Sequence, residues 1–168
     1  MIYKIFNFKK VHSTNDIAIK KVKKGIVRGL VQAEFQKKGR GQRGKKWISY
    51  KGNLFITIFF KINKKTSLKN ITFKNCNKIK KVISKLIKKK IIIKKPNDLL
   101  LNNKKICGIL QETVVHNNSL FLILGIGINL IKSPKIINYP TTNIFDELGI
   151  IVSKKLIIKH IINEFKYN

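Results

Sequence analysis

The chain has little of what secreted, membrane-spanning or metal-binding proteins depend on. Its two cysteines, Cys76 and Cys107, have no CxxC spacing. They form no disulfide framework and suit a reducing compartment, so a cytoplasmic location is expected. The three histidines, His12, His116 and His160, are scattered and lack a nucleophile partner. With so few cysteines beside them, neither a built-in metal centre nor a Ser/His/Asp or Cys/His arrangement is expected. No apolar run approaches the roughly 20 residues that span a bilayer. The start, MIYKIFNFKKVHSTND, lacks a long apolar stretch with a small-residue cleavage site, so no membrane partner and no secretory signal are expected. No Pro/Gly/Ser-rich linker divides the chain and no internal repeat is visible, so its 168 residues read as one domain, 1–168.

Acidic residues are the scarcest class for the size: 7 Asp+Glu stand against 37 Lys+Arg, a formal charge of +30. A hydrophobic share of 43% excludes a disordered basic tail. Only Arg28, Arg40 and Arg43 among the basic residues are arginine. Readers of phosphate and base edges usually place arginine at specific contacts, because its planar fork bonds two acceptors at once. Lys, Ile and Asn share A/T-rich codons, so much of the charge reads as lysine drift on solvated faces. A basic nucleic-acid-binding domain stays as an alternative. It would need stacking aromatics or a helix-turn-helix, and neither is visible, so no specific nucleic-acid partner is expected.

What is present is a mixed order of strands and helices. Tyr3–Phe8 alternates as a strand, and Ser13 to Asp16 supply N-cap residues for a helix running to about Lys24. Gly29–Gln36 reads as a strand leading into a glycine-rich basic loop, Lys37–Trp47. Asn53–Ile62, dense in β-branched and aromatic residues, reads as a buried strand. Ile79, Val82, Ile83, Leu86 and Ile87 form the apolar stripe of a helix packed on a sheet. Ile91–Lys94 is a strand closed by Pro96. Leu99–Leu101 and Lys105–Val115 form a hairpin, and His116 to Asn118 turn into Leu120–Leu130; asparagine can take the φ > 0 turn positions. Pro134–Pro140 reads as loop. Ser153 caps a last helix, with Leu156, Ile157, His160, Ile161 and Phe165 on its inner side. Crossover helices combined with hairpin-linked strands predict an α+β fold: a mixed, largely antiparallel sheet flanked by helices.

Four stretches carry chemistry. Gly39 to Gly44 satisfies G-x-G-x-x-G after a strand, but no apolar helical stripe follows and no acid lies about twenty residues on, so the dinucleotide-binding reading fails. The loop still suits a phosphate ligand: its glycines allow close approach, Arg40, Arg43, Lys45 and Lys46 can neutralise charge, and Trp47 can cover a ring or anchor the loop. Lys95-Pro96-Asn97-Asp98 is turn chemistry at a strand end, yet Asp98 is one of only seven acids. Lys105 begins the strand KICGIL and, on spacing alone, is one lysine among many. Gly125 and Gly127 interrupt an apolar strand, which implies either a bulge or the close approach of a ligand.

Taken in order, Ser13-Thr14-Asn15, GRGQRGKKW (Gly39–Trp47), KKPNDLL (Lys94–Leu100), KKICGILQE (Lys104–Glu112) and GIGIN (Gly125–Asn129) resemble the catalytic domain of biotin protein ligases. The resemblance implies a fold related to class II aminoacyl-tRNA synthetases. It also implies a two-step reaction: biotin and Mg2+-ATP form biotinyl-5′-AMP, and the acyl group passes to a lysine of the biotin carboxyl carrier protein of acetyl-CoA carboxylase. Carried over, Lys105, Asp98 and Arg40 would be catalytic. Ser13, Thr14, Asn15, Gln36, Arg40, Gly41, Gln42, Lys105, Gly108, Gly125 and Gly127 would contact biotin. Arg40, Arg43, Lys45, Trp47, Asn97 and Asn129 would contact ATP or the adenylate, with residues 37–47 closing as a lid. Magnesium would come with ATP, and a homodimer is compatible with the resemblance. Gln42 stands where many members carry Arg, and Lys95 replaces the usual Trp of K-W-P-N-D. Neither an N-terminal DNA-binding domain nor a small C-terminal β domain is expected, so neither is a repressor role. The nearest alternative is a lipoate- or octanoate-protein ligase; the glycine-rich basic loop and the K-x-P-N-D stretch favour biotin.

Overall fold

Two strands with almost no exposed residues organise the molecule. In the computed structural model, which describes residues 3–65, 67–137 and 139–166, they are β3 (Leu54–Ile62) and β7 (Ser119–Ile128), paired antiparallel along their whole length. Their near-continuous apolar runs mark a sheet centre covered on both faces. Around them lie β1 (Lys4–Val11), β2 (Arg28–Gln36), β4 (Ile92–Lys94), β5 (Asp98–Leu101) and β6 (Lys104–His116), giving a seven-stranded sheet in the order β1-β2-β3-β7-β6-β5-β4. Only β1 and β2 pair in parallel, because α1 (Thr14–Lys23) crosses between them; the other pairs are antiparallel. The fold is α+β with a largely antiparallel sheet, as expected.

Each face of the sheet buries its own helices. On one face, α2 (Leu68–Ile87) and α4 (Lys154–Glu164) cover Ile56, Ile58, Leu122 and Leu124 with Ile79, Ile83, Ile157 and Ile161. On the other face, Ala18 and Val22 of α1 pack on Val31, Phe59 and Ile123. The turns at Asn102-Asn103 and Asn117-Asn118 hold all four asparagines at positive φ, between 46° and 60°. That is the conformation a two-residue hairpin demands, and asparagine tolerates it better than most residues.

Several expectations need correction. The first strand extends to Val11. The second helix begins well before its apolar stripe, at Leu68, where the Ser67 hydroxyl accepts from the Asn70 amide. A short helix, α3 (Ile144–Leu148), occupies a stretch in which none was anticipated; it is capped by Asn143 and ends at Gly149 in the left-handed region. Leu156 is 42% exposed, because the buried face of α4 is the arc of Ile157, Ile158, Ile161 and Phe165, and Leu156 points away from it. Asn138, in the expected 134–140 loop, lies outside the described residues.

Candidate active site

The start of α1, the residues after β2, the β4–β5 turn, the early part of β6 and the end of β7 converge on one cavity of about 560 Å³. It is lined by Ser13, Thr14, Asn15, Gln36, Arg40, Gly41, Gln42, Arg43, Lys45, Trp47, Asn97, Asp98, Lys105, Gly108, Gly125 and Gly127. Residues more than a hundred positions apart are thus brought together. Asn129 is not among them: it is 2% exposed, its side-chain amide donates to Thr142 O and its backbone N–H donates to Ile106 O. Its role is to join β7 to the segment leading into α3, so the expected ATP contact has no support in its position.

The floor is made by absence of side chains. A Cβ on Gly108 would come within 2.5 Å of Trp47 Cζ3, and one on Gly127 within 2.5 Å of Trp47 Cε2. A Cβ on Gly125 would collide with Asn15 Oδ1. The register of β7 with both neighbours runs without a break through Gly125 and Gly127, so neither glycine makes a bulge. They are there so that the chain's own Asn15 and Trp47 can lie flat on the sheet. The indole Nε1 of Trp47 is shielded and has no hydrogen-bond partner among the described residues, nor does Ser49 Oγ.

One wall is a polar network. Gln36 Oε1 accepts from the Thr14 backbone N–H at 2.8 Å, and Thr57 Oγ1 lies 2.8 Å from Thr14 Oγ1 and donates to Asn15 Oδ1 at 2.6 Å. Asn15 Nδ2 donates to Glu112 Oε2 at 2.6 Å, and Arg40 grips the same carboxylate through two bonds of 2.7 and 2.8 Å while also reaching Asp16 at 2.8 Å. Satisfied networks of this kind fix side-chain positions before any ligand arrives. Ser13 occupies the N-cap position of α1, but its hydroxyl makes no capping bond and lines the cavity.

The expected basic loop is a small ordered hairpin. Arg40 and Lys46 pair across it, Gly41 N–H donates to Lys45 O at 2.7 Å, Trp47 N–H donates to Gly39 O at 2.9 Å, and Arg43 sits at φ 54° in the tip.

Opposite the hairpin, Lys105 Nζ lies 2.7 Å from Asp98 Oδ1, both side chains being at most 20% exposed. The same ammonium faces the Trp47 ring at 5.3 Å and the Tyr139 ring at 5.4 Å. Tyr139 OH donates to Asp98 Oδ2 at 2.5 Å. Burial, then Asp98's acceptor oxygen and charge, hold the Tyr139 hydroxyl far above the usual phenol range, so it stays a donor. Asn97 Nδ2 donates to Ile109 O at 2.6 Å, so this side chain ties the β4–β5 turn to β6. Seven cationic side chains line the cavity and Asp98 is the one carboxylate among the described lining residues. Behind it, burial pushes the Cys76 thiol up to about 11 and raises Cys107 as well, which makes both poor nucleophiles at neutral pH.

Sequence reasoning missed Thr57, Glu112, Asp16 and Tyr139 as parts of this site. Thr57 is the one hydroxyl in a strand whose only other polar residue is Lys61, and Glu112 is one of seven acids, so both left a signal. Tyr139 left none: it lies in a loop, and only the pairing of Lys105 with Thr141 brings it over Asp98.

Known proteins match this chain in sequence and in fold. A bifunctional ligase/repressor BirA of Escherichia coli is 34% identical over 101 residues, which is 58% of this chain and 32% of that protein. The chain therefore spans about a third of the length of this curated relative. The biotin protein ligase from Aquifex aeolicus, solved in complex with biotin and ATP, superposes with a TM-score of 0.81 at 23% identity, covering 98% of this chain and 69% of that one. The biotin protein ligase of Leishmania major in complex with biotinyl-5-AMP gives 0.77 at 26% identity, covering 98% and 74%. The biotin/lipoate A/B protein ligase family profile matches residues 7–129, which contain every motif from Ser13 to Asn129, and the chain belongs to that family.

Proposed function

We propose that the protein is an ATP-dependent biotin–protein ligase, which forms biotinyl-5′-AMP and transfers biotin to a lysine of a biotin carboxyl carrier protein. The observation that carries this reading is the composition of the cavity. Seven cations and one carboxylate line it among the described residues, and its glycine floor, roofed by Trp47, lies beside Lys105. A substrate with an uncharged ring and a carboxylate that must meet a triphosphate matches both features.

In the first step, a carboxylate oxygen of biotin attacks the α-phosphorus and pyrophosphate leaves. Two anions must approach, and a preorganised cationic site lowers the barrier without reorganising water. Lys105 is held by Asp98, Trp47 and Tyr139 where it can balance the developing charge. Arg40 is braced by Glu112 and Asp16 at the hairpin, and Arg43, Lys45 and Lys46 complete the positive rim. Ser13, Asn15 and Gln36 offer polar groups to the ring end, between Gly125 and the hairpin. Magnesium would enter on the ATP phosphates. Both Asp98 oxygens are engaged, by Lys105 and by Tyr139, so the phosphate oxygens and water would hold the ion. In the second step the carrier lysine attacks the acyl carbon and AMP leaves; the hairpin over the mixed anhydride would exclude water.

We read the described residues as one catalytic unit acting in a reducing cytoplasm, in keeping with two free cysteines and no helix long and apolar enough to cross a membrane among the described residues. The test is labelling: the purified protein with ATP should attach biotin, and not lipoate, to a carrier domain's lysine. Lipoate attachment without biotin attachment would move the assignment to the other branch of the family.

A further inference from the structure

The transfer step poses a problem that the cavity makes acute. At neutral pH a lysine side chain arrives as an ammonium, which cannot attack, and it enters a space lined by seven cationic side chains and one carboxylate. The proton acceptor within that lining is Asp98. Its Oδ1 is taken by Lys105 at 2.7 Å, and its Oδ2 receives the Tyr139 hydroxyl at 2.5 Å. Tyr139 is itself fixed from two sides. Lys105 N–H donates to Pro140 O and Thr142 N–H donates to Lys105 O, both at 2.9 Å, so the loop is stitched to β6 next to the ion pair. The charged groups facing its ring are Lys94 at 4.3 Å and Lys105 at 5.4 Å.

We propose that Tyr139 is a positioning residue for the transfer half-reaction: its hydroxyl holds the Asp98 carboxylate at the angle needed to take a proton from the incoming lysine ammonium. The inference rests on the ligase reading above. The lysine gives its first proton to Asp98, and the freed lone pair forms the N–C bond to the acyl carbon. The acyl C–O bond to AMP then breaks, with AMP keeping that electron pair, and the nitrogen loses its second proton to water as the amide forms. With the phenol gone, the carboxylate would keep only the Lys105 contact and swing toward that cation, away from the nucleophile.

The experiment compares three rates in the full chain and in Tyr139→Phe, which keeps the ring and its two cation contacts. They are biotin-dependent ATP–pyrophosphate exchange, single-turnover transfer from biotinyl-5′-AMP to a carrier-domain lysine, and transfer from the same adenylate to hydroxylamine, a nucleophile already neutral at neutral pH. The expected result is a carrier transfer rate reduced roughly tenfold or more relative to the variant's own exchange and hydroxylamine rates, the scale of a lost hydrogen bond to a charged group. Adding Tyr139→Phe to an Asp98→Asn protein should then cost no further transfer activity, because the hydroxyl acts only through that carboxylate. Equal losses in all three rates, unchanged carrier transfer, or an additive loss in the Asp98→Asn background would overturn the proposal. Absence of biotin-dependent exchange in the unaltered protein would instead overturn the ligase reading on which it stands.

Discussion

Replacing Gly127 by alanine should displace the indole on which the site is built. The new methyl group would lie 2.5 Å from Trp47 Cε2, 2.6 Å from Cζ2 and 2.8 Å from Nε1. The ring would have to retreat by about 1 Å to regain ordinary van der Waals separation. Backbone retreat on the other side is blocked, since Gly127 pairs with Phe55 in β3 and with Gly108 in β6. The ring's own hairpin is tied down by the Trp47-to-Gly39 hydrogen bond. Overpacking of this kind typically costs about 1–3 kcal/mol. If that cost falls on the biotin-binding arrangement, affinity drops about tenfold for each 1.4 kcal/mol. Trp47 is the only tryptophan in the chain, so its fluorescence reports the displacement directly. We expect red-shifted emission in Gly127→Ala together with weaker biotin binding by calorimetry. Gly125→Ala is the matched comparison: its methyl meets Asn15 rather than the indole, so it should weaken binding with the emission unmoved. Unaltered emission and unaltered affinity in Gly127→Ala would refute the role given to the glycine floor.

Other expectations follow from the same contacts. Lys105→Ala should lower the exchange rate at least about tenfold, the scale of a lost charge-assisted contact, whereas Lys89→Ala on an exposed turn should leave it alone; equal effects would remove Lys105 from the site. Asn53→Ala should destabilise the fold by about 2–4 kcal/mol in denaturant unfolding, because its buried Oδ1 accepts from the amides of Leu130, Ile131 and Lys132 and no other side chain replaces it. Tyr3 donates to Phe165 O, and burial, only partly opposed by Arg28, pushes its hydroxyl up to about 12 from an ordinary 10.0. The folded state then holds that proton more tightly than the unfolded chain, so the contribution is complete below pH 10.0 and lost as the pH rises toward 12. Tyr3→Phe should flatten that alkaline decline in thermal melts. Finally, if the surplus charge steers an acidic carrier domain, the carrier labelling rate should fall as salt rises, and a flat salt profile would exclude steering.

The sheet was legible because its signals are local. Alternation, β-branched runs and paired asparagines at tight turns are read within a few residues, and they marked β2, β3, β6 and β7. The early half of α2 was not legible, since LKNITFKN carries a weak apolar stripe and its start depends on a Ser67 cap seen only in three dimensions. The same holds for α3, five residues long and defined by its caps. In the site, motif residues such as Lys105 and Asp98 could be named from the chain. Their 2.7 Å contact and the way Glu112 holds Arg40 could not, because both arise from strand register and hairpin folding. For Gly125 and Gly127 the sequence offers a bulge or the close approach of a ligand, whereas the groups that lie against them are the chain's own Asn15 and Trp47, 110 and 80 residues away along the chain. Asn129, a motif residue, bonds to Thr142 O and is not among the residues lining the cavity.

The central claim is that this cavity activates biotin with ATP, and isotope exchange between pyrophosphate and ATP measures that step without any carrier protein. Exchange should appear when biotin is added, stay at background with lipoate in its place, and collapse in Lys105→Ala. Exchange supported by lipoate and not by biotin, or exchange indifferent to Lys105, would contradict the account.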